Sequence, residues 1–139
     1  MMPDVAVQKA IRARLIASSN VVALVPAASI LDRHERPAPL PSIIIGESDG
    51  VDPGGSIQRA LTRVTHTLHI WKQEPSFEGV KTICGAVHWA LFAHRLALPD
   101  PAFHCVDCRV SAARYLRDPS GDVSHGVMHV EVLVHGVRT

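Results

Sequence analysis

Residues 106–134 read VDCRVSAARYLRDPSGDVSHGVMHVEVLV, and this stretch decides the fold. Val106, Cys108, Val110 and Ala112 alternate with Asp107, Arg109 and Ser111. After the break Asp118-Pro119-Ser120-Gly121-Asp122 the alternation resumes as Met128, Val130, Val132 and Val134 against His129, Glu131 and His135. Period two on both arms predicts two strands, each with one buried and one polar face, joined as a long β-hairpin. With the break as the loop, Arg117 faces Val123, Val110 faces Val130 and Arg109 faces Glu131. Apolar meets apolar and opposite charges meet, so pattern and turn agree on one register. No catalytic constellation lies on the hairpin, which reads as a scaffold for assembly.

Upstream, Val80, Ile83, Cys84, Val87, Leu91, His94 and Leu98 share one side of a helix predicted over residues 77–98, which Pro99-Asp100-Pro101 stops. His94 on that stripe reads as a hydrogen-bonded core histidine. Residues 61–71, LTRVTHTLHIW, are rich in β-branched side chains. They read as a strand with Val64, His66, Leu68 and Ile70 inward and Thr65, Thr67, His69 and Trp71 outward. Near the start, Val7, Ile11 and Leu15 mark one face of a helix entered through Pro3-Asp4 and running to about residue 18. Its basic residues Lys9, Arg12 and Arg14 read as a solvated face. Asn20 is placed to cap a short helix over residues 21–25, ended by Pro26. Ile30-Leu31 suits a short strand, and residues 32–41, with three prolines, an exposed connection. Ile43-Ile44-Ile45 between Pro41 and Gly46 is a short buried strand.

The stretch 47–56, ESDGVDPGGS, is predicted to be a mobile loop that contacts a neighbour through Glu47, Asp49, Asp52 and Ser56. The element order predicts an α+β fold in a single domain over residues 1–139: a mainly antiparallel sheet with a long C-terminal β-hairpin and helices packed on one face.

Composition narrows the function. A chain of 139 residues with 47% hydrophobic and 19% charged residues can bury a real core and is not disordered. Fourteen basic and 13 acidic side chains leave a net charge of +1, which favours neither nucleic acid nor an anionic membrane. Three cysteines are too few for a disulfide framework and fit a reducing compartment. No signal peptide or membrane-length apolar run is read, so the expectation is a soluble, cytoplasmic protein.

Cys105 and Cys108, preceded by His104, have the spacing of a metal or redox pair. On a strand, residues three apart leave opposite faces, so neither metal nor disulfide is expected there. His66 and His69 fail by the same geometry. His69, His129 and His135 share the polar face without a visible carboxylate second shell. Nucleophile motifs and phosphate loops are absent, and no cofactor and no enzymatic activity are expected. Trp89, Phe92 and Leu96 fall opposite the core stripe of the long helix, within about 60°, and read as subunit-interface candidates. The competing readings are a small metal- or redox-active module using Cys105 and Cys108, and a ligand-binding domain with a pocket between helix and sheet.

With these elements in order, the sequence resembles the tail-completion, or tail-terminator, proteins of long-tailed bacteriophages and gene transfer agents. The resemblance rests on the N-terminal helix leading into Asn20-Val21-Val22-Ala23-Leu24-Val25, on Ile30-Leu31, and on the proline-then-strand run Pro39-Leu40-Pro41-Ser42-Ile43-Ile44-Ile45-Gly46. It continues through Thr67-Leu68-His69-Ile70-Trp71, the helix entered at Glu78-Gly79, and a hairpin with Arg114, Asp118, Gly121 and His125-Gly126 around its turn. The cysteine pair and the histidine-rich strands depart from the family pattern. The resemblance implies a homohexameric ring on the tail tube, in contact with the tail-tube protein and a head-side neck or stopper protein. DNA would pass through it without specific binding, with Thr65, Thr67, Arg109 and Glu131 as possible channel-facing residues. Assembly would take place in the host cytoplasm and end at the head–tail junction.

Overall fold

The structure is a computed structural model and describes residues 2–35 and 38–136. Pro3 starts helix α1 (Pro3–Ala17), whose Ala6, Val7, Ala10, Ile11 and Leu15 are buried. Ser18 separates it from α2 (Ser19–Leu24) and caps the latter, its Oγ accepting from the Val21 amide; Asn20, expected in that role, lies inside the helix. A single 3-10 turn leads into β1 (Ile30–Leu31). Of the proline-rich connection, Arg36 and Pro37 lie outside the described residues. Then follow β2 (Ser42–Val51), β3 (Leu61–Gln73), helix α3 (Glu78–Phe92), β4 (Phe103–Arg117) and β5 (Val123–Gly136).

The five strands form one sheet in the order β1-β2-β3-β5-β4, with only the β1–β2 pair parallel. The fold is α+β and mainly antiparallel, with the helices on one face. Val64, His66, Leu68 and Ile70 of β3 and Met128, Val130, Val132 and Val134 of β5 are all buried. They form one core with the stripes of α1 and α3, as period two in the strands and 3.6 in the helices require.

The hairpin register holds at its middle, where Arg109 pairs with Glu131 and Val110 with Val130. Nearer the turn Arg117 pairs with Ser124 instead of Val123, because a bulge between Val110 and Ala112 adds a residue to β4. A second bulge lies between Cys105 and Asp107. Each bulge flips the alternation. The core side of β4 therefore carries Cys105, Cys108, Val110 and Tyr115, whereas Val106 and Ala112 are exposed.

Both ends of α3 are held by side chains from outside the helix. At its start Glu74 accepts from the Gly79 and Val80 amides at 2.7 and 2.9 Å, a carboxylate at the positive end of a helix. A Cβ on Gly79 would meet the end of the Lys72 side chain and Glu74 Oε2, so any larger residue there would push these side chains aside. At its end Arg14 donates to the carbonyls of Ala90, His94 and Arg95 at 3.0, 2.9 and 2.8 Å. The helix accordingly stops at Phe92, six residues before the expected Leu98. The following turn leaves His94 exposed, contrary to its expected core position, and folds Leu96 into the core. Arg12 likewise donates to the Ile30 carbonyl at 3.0 Å. Two of the three basic residues on α1 are thus clips between elements.

Candidate functional site

The face of the sheet turned away from the helices carries the side chains expected to be polar. Register lines them up in rows across the strands. Asp49 pairs with Thr65, Thr65 with Glu131 and Glu131 with Arg109, so these four residues of β2, β3, β5 and β4 occupy one level. Glu131 bridges two cations, with Arg109 at 2.9 Å and Arg63 at 3.6 Å. In the next row Thr67 bonds the His129 ring at 3.3 Å. The face mixes both charge signs, and among the described residues no group of three His, Cys, Asp or Glu side chains is arranged to hold a metal.

Further along, Glu47, His69 and His125 form a hydrogen-bonded chain. A carboxylate only accepts, so His69 donates its Nε2–H to Glu47 at 2.7 Å, and its Nδ1 accepts from His125 Nε2–H at 2.8 Å. The His125 ring stacks on Trp71, centroids 3.7 Å apart and planes 8° from parallel. Burial, and then the neighbouring His69 ring, push His125 down to about 4. The His69 hydrogen bond lowers the Glu47 carboxyl. Beside this chain a cavity of about 550 Å³ opens between the sheet and the proline-rich connection, lined by Leu40, Ile44, Trp71 and His125 among others. It lies on the open face and not between helix and sheet.

Three expected site features are corrected. Glu47 and Asp49 are not in a loop: β2 continues through them to Val51, because β3 provides a partner strand there. The remaining connection, residues 52–60, is tied by its own side chains. Asp52 accepts from the Gly54 amide at 2.8 Å and pairs with Arg59 at 3.3 Å, and Ser56 accepts from the Ala60 amide at 3.2 Å. Its tip presents Ile57 with 101% relative exposure, an apolar residue visible in the sequence between GGS and QRA but not singled out there.

Leu96 is only 4% exposed and belongs to the core, so it leaves the interface set. Trp89 and Phe92 remain 63% and 67% exposed, packed edge to face with each other and joined by His88. The third correction concerns the cysteines. The bulge at Val106 brings Cys105 and Cys108 to the same face, opposite Val134 and Val132. Both thiols are free, and burial raises them, Cys108 to about 12, which suppresses the thiolate that metal binding or exchange needs.

The fold is similar to that of a chain in the solved structure "Virion of native gene transfer agent (GTA) particle". The TM-score is 0.76, with 20% identity, over 93% of this chain and 94% of that one. No curated protein matches the chain. The family model described as Tail completion protein gp17 matches residues 9–135, from within α1 to the end of β5, and the chain belongs to that family.

Proposed function

We propose that this chain closes the end of a phage-type or gene-transfer-agent tail as a homohexameric ring and joins the tail to the head-side neck. As a tail completion protein it is a structural part of such a tail. The observation that carries it is the two-sided sheet, with one face sealed by helices and the other left open. A ring subunit needs such a wall: a packed outer layer and a wet inner surface.

In this arrangement Thr65, Thr67, Arg109 and Glu131 face the channel. Their mixed charge suits passage of DNA without adhesion, since strong binding would need a net cationic surface. Trp89 and Phe92 on the outer layer form the contact to a neighbouring copy, where burial at about 25 cal/mol per Å² supplies several kcal/mol. Asp52 and Ser56 shape the 52–60 connection, whose tip Ile57 meets the adjoining ring of the tail-tube protein. The head-side neck or stopper protein takes the opposite rim. The subunit is made in the host cytoplasm, acts at the head–tail junction, and carries out no reaction.

Depleting the chain from particle-producing cells tests this reading. Tails of unregulated length, unattached to filled heads, are expected. Tails of normal length joined to heads would overturn it.

A further inference from the structure

The sheet is open at both edges. Among the described residues β4, 15 residues long, pairs only with β5, so its outer backbone groups have no strand partner. At the other side β1 covers only Ile43 and Ile44, which leaves the outer edge of β2 from residue 45 to 51 unpaired. Long bare edges of this kind invite a strand from another chain.

The two edges are complementary. At one level β2 offers Asp49, which no ion pair engages among the described residues, and β4 offers Arg109, whose side chain is 64% exposed beyond its contact with Glu131. One step along, Val51 on β2 is 50% exposed, and it shares its level with Asp107, next to the 40% exposed Val106 on β4. The strand directions also agree. β2 and β4 run in opposite senses, so a copy rotated about an axis along the strands presents its β2 antiparallel to β4, with the open faces on the same side. The contact is head to tail, the type that closes into a ring.

We propose that the outer edge of β4 in one copy pairs antiparallel with residues 47–51 of β2 in the next copy, with Asp49 facing Arg109. The row Asp49, Thr65, Glu131, Arg109 then continues from subunit to subunit as an alternating girdle of charge, and the sheets join into one wall. The partner is a second copy of this chain. This rests on the ring reading above and adds to it the strand-to-strand seam.

Cysteine cross-linking in assembled particles tests the seam. In an Asp49→Cys/Arg109→Cys variant, facing residues of neighbouring copies lie within disulfide reach. Mild oxidation of purified particles should convert the monomer band on a non-reducing gel into a ladder of covalent multimers, with each single variant remaining monomeric. A Val51→Cys/Asp107→Cys variant, in the same register, should give the same ladder if the first pair disturbs folding. Double variants present in tailed particles yet monomeric after oxidation would overturn the seam and leave the tail reading standing. Absence of the wild-type chain from tailed particles would overturn both.

Discussion

Arg109 and Glu131 face each other across the β4–β5 pair, with the guanidinium 2.9 Å from the carboxylate. The contact lies on an open surface, and Arg109 is mostly in solvent. Exposed pairs contribute little to a folded chain, so Arg109→Ala should change subunit stability by less than about 1 kcal/mol in urea unfolding. A loss above about 2 kcal/mol would mean that the row holds the subunit itself together. The same variant should assemble poorly, because Arg109 is placed at the seam.

Arg14 has the opposite character. Three carbonyls at the end of α3 depend on its guanidinium. Arg14→Ala should cost about 2 kcal/mol, as expected for charged hydrogen bonds that leave partners unsatisfied. Hydrogen exchange of the amides in residues 93–96 should accelerate in that variant. Unchanged stability and exchange would show that the turn after α3 holds without this clip.

Buried His66 and half-buried His125 set a pH dependence. His66 donates to the Asp4 carbonyl at 3.1 Å, and its other nitrogen has no partner among the described residues, so charging it would place an unpaired N–H in the core. Burial lowers His66, and burial with His69 lowers His125 to about 4 from the ordinary 6.5. Both folded-state values lie below the unfolded ones. Stability is therefore complete above pH 6.5 and falls between 6.5 and about 4, where the unfolded chain takes up protons that the native chain refuses. Glu47 and Asp118, both lowered by hydrogen bonds, add a further loss that begins near their unfolded values of 4.5 and 3.8 and continues below. Urea midpoints should drop from neutrality toward about pH 5, and less steeply in His125→Asn. Equal midpoints would contradict the assignment.

Trp89 is exposed and Leu96 buried, so substitutions at the two should behave differently. Trp89→Glu changes a side chain that is 63% exposed and should leave a soluble, folded subunit that does not form rings. Leu96→Glu buries a charge in the core and should prevent folding. Loss of folding in Trp89→Glu, seen by circular dichroism, would remove the aromatic patch from the interface.

Much of this was legible because it depends on local period. The alternation around Leu68 and Val130 and the stripes Val7, Ile11, Leu15 and Val80, Val87, Leu91 placed the core faces of β3, β5, α1 and α3. The two bulges in β4 were not legible: an inserted residue flips the faces and leaves no compositional mark, which is why Cys105 and Cys108 were assigned to opposite sides. The end of α3 was missed because Arg14, 76 residues before Ala90, takes over the carbonyls there. The strand at Glu47 and Asp49 was missed because pairing with β3, and not the propensity of a Gly- and Asp-rich stretch, makes it extended. Of the candidate site, Thr65, Arg109 and Glu131 of the polar row were readable from alternation, and Asp49 was not. The Glu47–His69–His125 chain was not, since it joins three strands through a bulge in β2.

The central claim is the place of this chain in the particle. Electron microscopy of purified particles carrying a label on this chain tests it most directly. A closed ring of label at the head–tail junction, one layer deep and sixfold, is expected. Label distributed along the tail, at its distal tip, or absent from the particle would contradict it.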